Sequence, residues 1–504
     1  MNFVNFTWMI LLPLAGAPLI YLLGRIGILR RPGTLGPGLA RWVCAAILLA
    51  AGVVFVQSAL TFNQTSIQTF TLGAVNLRLD GLALLISGLA LVLGFLVAIF
   101  SGPYLAGEDD QEKYYALLAL LVGSISGLAC AADLFNLWVW FEAMALSTYV
   151  LVAFYEARPE SLEAGVKYLV QSAVGSALVV FAIAAVFAAT GVLDLERIHT
   201  VARSSPLLLG AGALFMVGFG VKAALVPLHT WLPDAHSQAP SGISALLSGV
   251  VIEAGLIAML RALGALMGVS LIWGPLLLVF GAANMLFGNL MALRQNQVKR
   301  LLAYSSLAHV GYMLLGLGVS MTFGLANGAE GAFFHLLNHG LMKALAFLSA
   351  GALLYALYIA HDEHRPLTVE DLAGAARRYP LPTFALSVAV LGLGGLPPLA
   401  GFMSKWQIFV AGFQTHDIRI YALVIFAALN SLLSLGYYAP IVNRMYRHKA
   451  SPRVLEGDPL PAIMAIPLVL LALAVIVLGI LPNLATWLTA PAAGSLLAVL
   501  GGGG

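Results

Sequence analysis

Gly392-Leu393-Gly394-Gly395-Leu396-Pro397-Pro398-Leu399-Ala400-Gly401 interrupts an apolar run, 382–411, that is otherwise long enough to cross a bilayer, and Lys405 stands just beyond it. Proline removes a backbone donor and clashes with the preceding turn, so no continuous helix passes through this stretch. Inside a membrane such a gap persists only where protein buries it or water reaches it. A second run, 207–226, ends in a similar way: Lys222-Ala223-Ala224-Leu225-Val226-Pro227 sets a lysine beside a helix-breaking proline. Each break therefore marks a hydrated site, and each has a lysine next to it.

Composition supports the membrane reading. Of 504 residues, 61% are hydrophobic and 9% charged, against roughly 25% charged in a soluble domain. So few charges cannot cover a water-exposed surface. A helical span needs about 20 apolar residues, and such segments are predicted at 6–23, 41–60, 81–102, 114–131, 134–154, 164–188, 207–226, 242–264, 271–293, 301–319, 330–357, 382–411, 420–443 and 461–483. The first run has no basic flank or small-residue cleavage site and reads as a retained span. Between the second and third spans, Ile67, Phe70, Leu72, Val75 and Leu77 alternate with polar residues. That period predicts a short β-hairpin lying on the membrane surface.

The distribution of lysine and arginine orients these fourteen spans. With the N-terminus outside, the odd-numbered connections hold Arg25, Arg30, Arg31, Arg41, Lys113, Arg158, Lys167, Arg294, Lys299, Arg300, Arg365, Arg377, Arg378, Arg444, Arg447, Lys449 and Arg453. The other side holds Arg78, Arg197, Arg203, Arg261 and Arg419. A miscounted helix would scramble this bias, so a multi-pass protein of the inner or plasma membrane with both termini outside is expected. Cys44 and Cys130 lie in apolar runs, without a CxxC pair or a His/Cys cluster. Neither a GxxxxGK[ST] loop nor a GxGxxG turn is present. No cofactor, no metal and no nucleic acid is therefore expected to bind, and no redox chemistry is expected in this chain itself.

Three lysines, Lys222, Lys343 and Lys405, lie inside spans, as do Glu142 in the fifth and Glu253 midway through the eighth. Each charge at bilayer depth costs roughly 2.5–3.5 kcal/mol on insertion scales. Ion pairs that lock helices together are the structural alternative, but buried pairs stabilise poorly compared with apolar packing. Lysine loses its proton readily when desolvated, so a proton-handling set is the better reading. His335, His339 and Lys343 follow one another at intervals of four and share a helix face. One helix earlier come Tyr304, Ser305, Ser306 and His309. Histidine accepts and passes protons near neutral pH, and the stripe reads as a relay. His229 and His236 flank Trp231-Leu232-Pro233-Asp234 and are candidates for proton uptake, with loop packing or helix capping an equal alternative.

The two broken spans are five helices apart and run in opposite directions, the signature of an inverted repeat. This divides the chain into N-terminal helices with the hairpin (1–113), a first five-helix repeat (114–264), a second (271–445), and a last helix with tail (446–504). It also suggests a lateral row of polar groups in the order Glu142, Lys222, Glu253, the His309/His335/His339/Lys343 group and Lys405.

Three motifs carry a family resemblance: Lys222-Ala-Ala-Leu-Val-Pro-Leu-His-Thr-Trp-Leu-Pro-Asp-Ala-His-Ser-Gln-Ala-Pro240, Lys299-Arg-Leu-Leu-Ala-Tyr-Ser-Ser-Leu-Ala-His-Val-Gly311 and His335-Leu-Leu-Asn-His-Gly-Leu-Met-Lys343. The chain resembles the antiporter-like subunits shared by respiratory complex I, membrane-bound hydrogenases and Mrp-type multisubunit cation/proton antiporters. The resemblance implies an all-α fold of about fourteen membrane helices with inverted repeats. It also implies a proton-handling pair, Glu142 and Lys222, and roles for His335, His339, Lys343 and Lys405. Lysine at 405 resembles the D-type Mrp subunit and some complex I subunits, and no long amphipathic helix follows the last span. Glu253 departs from the pattern, which has Lys or His there; pairing with Lys222 or Lys343 is one outcome, altered ion choice another. The expected function is proton translocation within a multisubunit complex, most like the D-type Mrp subunit. The alternative is a proton-pumping subunit of a complex I-like NADH/ferredoxin-quinone oxidoreductase or membrane-bound hydrogenase. Expected partners are other membrane subunits, the lipid bilayer, protons and, in the antiporter reading, sodium. An independent solute carrier and a structural anchor are the competing classes.

Overall fold

The computed structural model describes residues 5–30, 36–62, 67–73, 75–361 and 363–499. Arg31, counted above in the odd-numbered connections, lies outside them. The N-terminal part comprises α1 (Trp8–Arg30), α2 (Gly36–Leu60), the strands β1 (Gln68–Leu72) and β2 (Val75–Leu79), and α3 (Gly81–Tyr104). Next come α4 (Gln111–Cys130), α5 (Leu134–Val152), α6 (Pro159–Thr190), a short α7 (Leu195–Val201), α8 (Pro206–Lys222), α9 (Trp231–Gln238), α10 (Ser241–Leu246) and α11 (Ile252–Ala265). The second half holds α12 (Trp273–Ala292), α13 (Val298–Phe323), α14 (Ala326–Leu357), α15 (Pro380–Gly394), α16 (Ala400–Phe413) and α17 (Ile418–Arg447). It closes with α18 (Pro452–Glu456), α19 (Ala462–Ile480) and α20 (Thr486–Val499). Among the described residues, twelve helical segments are long and apolar enough to cross a membrane, with α8 and α15 as two shorter apolar helices.

Local chemistry explains the ends. The N–H of Ala83 donates to the Asp80 carboxylate at 2.9 Å, that of Asn136 to Asp133 at 2.8 Å, and that of Leu208 to the Ser205 hydroxyl at 3.3 Å. These side chains take up donors that the first helical turn leaves free. Both breaks fall where the prolines predict. α8 stops at Lys222, and the chain runs through turns to α9; α15 stops at Gly394 and α16 begins at Ala400. Gly395, which ends α15, has φ +81°, a conformation that glycine adopts without steric cost.

The hairpin forms as its alternation predicts, with Gln68 opposite Leu79 and Leu72 opposite Val75. The segment predicted as the eighth span forms as α10 and α11, joined through one wide π turn, Leu247–Val251. Its apolar window is completely buried, whereas those of α6 and α17 are 33% and 28% buried. The eighth span is thus the centre of the bundle, and α6 and α17 turn apolar side chains such as Phe181 and Leu432 outward.

Four helices fall outside the predicted spans: the short α7, α9 and α18, and α20. α9 escapes the span pattern because its Pro, Asp, His, Ser and Gln leave it little apolar periodicity. α20 was read as a tail; at 14 residues it is too short for a span. Tertiary packing holds it. Gly81 brings α3 so close that a Cβ there would stand 2.1 Å from the Pro491 backbone, and the Gly81 N–H donates to Ser495 Oγ at 3.0 Å.

Candidate functional site

The site is built where α13, α14 and α16 meet the eighth span. α14 presents His335, His339 and Lys343 on one face, and all three are fully buried. Gly340, beside His339, lies against Gly249 of the π turn; a Cβ on Gly340 would be 2.6 Å from the Gly249 carbonyl. This backbone-to-backbone approach brings Glu253 to His339, with Oε1 2.7 Å from Nδ1. Glu253 is therefore paired with His339, not with Lys222 or Lys343 as the sequence suggested. Lys343 turns toward α13, donating to the Leu302 carbonyl at 2.7 Å and to the Ser305 hydroxyl. Wide π turns inside α-helices recur at functional sites; here the turn also sets Ser248 Oγ 2.5 Å from Ser306 Oγ on α13.

The chain of contacts continues from His339. His309 of α13 stacks on it with ring centroids 5.2 Å apart. His309 Nδ1 is 3.0 Å from His335 Nε2, and His335 Nδ1 is 2.9 Å from Ser404 Oγ on α16. Next in sequence is Lys405, whose ammonium donates to the Leu393 carbonyl freed by the break and to Ser431 Oγ, each at 2.9 Å. The same ammonium lies 4.5 Å from the centroid of the Tyr312 ring. A cation over an aromatic face is held by the ring quadrupole.

At the other break, Lys222 is fully buried and donates to Thr148 Oγ1 at 3.2 Å. Its ammonium lies 4.4, 5.3 and 5.8 Å from the ring centroids of Tyr168, Tyr149 and Phe141. Glu142 follows Phe141 on α5, yet among the described residues no ion pair within 4.0 Å joins it to Lys222, and its Oε1 has no hydrogen-bond partner. The expected pair thus has its two members on neighbouring helices without direct contact. α11 packs on the Lys222 backbone through Gly255, where a Cβ would be 3.0 Å from Lys222 Cβ. The lysine side chain is directed to Thr148 and the aromatic rings, and no hydrogen bond links it to Glu253 among the described residues.

His236 is on α9, fully buried and stacked on Phe347 at 4.7 Å. Neither of its ring nitrogens has a partner among the described residues. His229 is only partly buried, with its ring 6.5 Å from that of Tyr304. Several site residues escaped sequence reading: Thr148, Tyr168, Ser404, Ser431 and Asn284. Single hydroxyls and amides inside apolar runs give no spacing signal, although Ser404 beside Lys405 was a hint. Lys299, counted as a loop cation, is buried and donates to the Ala239 carbonyl. Arg261, also counted with the loops, is buried at the end of α11 and grips Asp80 with two hydrogen bonds of 2.9 and 2.8 Å. Burial pushes the Asp80 carboxyl up, but Arg261 and Arg78 more than offset this and hold it below the usual carboxylate range.

The family model described as NADH:quinone oxidoreductase/Mrp antiporter, TM matches residues 131–433, which include both breaks and the whole contact chain. F(420)H(2) dehydrogenase subunit N of Methanosarcina mazei is 33% identical over 445 residues, covering 86% of this chain and 88% of that one. NADH-quinone oxidoreductase subunit N of Chloroflexus aggregans is 32% identical over 446 residues, again 86% and 88%. Among solved structures, a chain of the membrane-bound sulfane sulfur reductase, an archaeal respiratory complex, superposes with a TM-score of 0.86 at 29% identity, covering 98% of both chains. A chain of respiratory complex I from Thermus thermophilus gives 0.76 at 27% identity, covering 95% of this chain and 100% of that one. A chain of the Mrp complex from Dietzia sp. shares the fold, with a TM-score of 0.82 at 21% identity and 98% of both chains covered. With most of its length matched by this family model and by relatives of similar size, the chain belongs to the NADH:quinone oxidoreductase/Mrp antiporter membrane family.

Proposed function

We propose that this chain is the proton-translocating subunit of a complex I-like membrane assembly, in which redox chemistry in partner subunits drives protons through a buried lateral row. The observation that carries this is the contact chain Glu253–His339–His309–His335–Ser404, ending beside Lys405, drawn from four elements and almost wholly buried. His335 has both ring nitrogens engaged, so a proton received on one can leave from the other as the tautomer switches. Glu253 and His339 share a proton at the centre. Lys343 and Lys405 bias the row by holding or releasing their charge, as Lys222 does beside Glu142 in the first half. His236 and His229 serve uptake from the cytoplasmic side. A cavity of about 80 Å³, lined by Arg158, Lys299 and His364 among others, is a second opening on the side that carries most of the lysines and arginines.

The same reading takes α8 with α9, and α15 with α16, as the broken seventh and twelfth of fourteen spans related by an inverted repeat, with the repeats at 114–264 and 271–445 and both termini outside. The N-type relatives, subunits of an F(420)H(2) dehydrogenase and of NADH-quinone oxidoreductases, support redox drive over the D-type Mrp assignment. The test is proton translocation by the assembled complex in its own membrane. Lys222→Ala and Glu142→Ala each abolish it while subunit composition stays intact; normal pumping by an assembled Lys222→Ala complex overturns the reading.

A further inference from the structure

The break after Lys222 frees backbone groups that a continuous helix would pair, and their partners can be traced. The Gly220 carbonyl accepts from the Leu225 N–H at 2.8 Å, and the Val221 carbonyl accepts from Trp231 Nε1 at 2.8 Å. The Val226 N–H and the Ala224 carbonyl both go to one side chain from another helix. Asn284 of α12 accepts from Val226 N through Oδ1 at 2.8 Å and donates through Nδ2 to Ala224 O at 3.1 Å. Nδ2 also donates to Leu307 O of α13 at 3.4 Å. Asn284 has no exposed surface. Leu307 lies between Ser306 and His309, so one amide ties the Lys222 break to the helix that carries the second half of the relay.

The other break is satisfied differently. There Lys405 itself occupies the freed Leu393 carbonyl, and Ser431 takes Gly394 O at 3.2 Å. At the Lys222 break a neutral amide holds the backbone, and the lysine ammonium is left to Thr148 and three aromatic rings. We propose that Asn284 is a positioning residue: by satisfying the broken backbone it keeps the Lys222 ammonium off its own break and in place for proton exchange, and it couples that break to α13. The inference rests on the relay reading of Lys222. The ionisable groups presented around Lys222 are Glu142 and Tyr149 from α5 and Tyr168 from α6, while α11, packed on its backbone through Gly255, brings Glu253 two residues away. Without the amide, Ala224 O needs water or the ammonium as its donor, since a buried polar group without a partner is costly.

The experiment uses the assembled complex and two variants, with hydrogen exchange of the Val226 amide and the pH profile of proton translocation as readouts. Asn284→Ala accelerates Val226 exchange by at least about tenfold and displaces the pH profile, while the subunit composition is unchanged. Asn284→Asp keeps the acceptor for Val226 but loses both donated bonds. It leaves Val226 exchange slow and still displaces the profile, because Ala224 O has lost its donor and draws the Lys222 ammonium toward the break. Should Asn284→Ala fail to assemble, Asn284→Asp decides. Unchanged Val226 exchange in Asn284→Ala, or an unmoved profile in both variants, overturns the proposal. Pumping that survives Lys222→Ala overturns the relay reading itself, and the exchange result then judges the backbone clamp separately.

Discussion

Glu253 and His339 form a carboxylate–imidazole pair at the centre of the bundle, and neither has any exposed surface. Two cations in these positions would repel one another; a carboxylate and an imidazole can share one proton and stay neutral overall. Glu253→Gln keeps the size and the hydrogen bond but removes the titrating oxygen. Translocation then falls by at least about tenfold with the complex intact, measured as proton uptake into proteoliposomes, because positioned proton transfer is worth that much or more. Asp80 poses a different question. Its carboxyl is held below the usual range when folded, so its contribution to stability is full above an unfolded value near 4 and is lost as pH drops through the lower folded value. Thermal unfolding of the complex followed downward from pH 7 shows this loss in the native chain and a flatter dependence in Asp80→Asn. At neutral pH Asp80→Asn costs about 3–5 kcal/mol, since it leaves the Arg261 charge buried and half-paired.

Elements succeed or fail here at their close approaches. Gly249 and Gly340 let the π turn of the eighth span touch α14, and that contact sets the Glu253–His339 distance. Gly340→Ala forces the two backbones apart, because the new Cβ has no room at 2.6 Å. Overpacking of this kind costs about 1–3 kcal/mol, so the helices persist. The expected result is normal helical circular dichroism and assembly, with translocation lowered toward the level of Glu253→Gln. Full transport by Gly340→Ala would show that the pair tolerates separation. The breaks themselves were visible in the sequence, because proline beside lysine inside an apolar run has few other readings. α9 was not, since its eight residues carry too little apolar pattern to declare a helix; burial of Trp231, Leu232 and His236 against neighbouring helices decides it.

Across the whole molecule, α6 and α17 turn apolar side chains outward, while Lys222, Glu253, His309, His335, His339, Lys343 and Lys405 are all buried. In the redox-driven reading the drive is supplied by partner subunits. Purification in mild detergent is expected to bring down other membrane subunits together with iron–sulfur proteins; recovery of small membrane partners alone, with sodium-dependent proton flux, would favour the Mrp alternative.

What the sequence determined by itself was the membrane class, the placement of nearly every long helix, both breaks and the identity of the ionisable residues within the spans. These depend on local composition and on proline and glycine geometry, which act over a few residues. Which ionisable groups meet was decided only in three dimensions. Glu253 found His339, Lys405 its own broken backbone, Lys222 a hydroxyl and three rings, and Asn284 the gap beside Lys222. Those pairings depend on helix rotation and on glycine contacts between residues far apart in the chain, and a hydrogen bond that forms or fails over a few tenths of an ångström leaves no trace in spacing along the sequence.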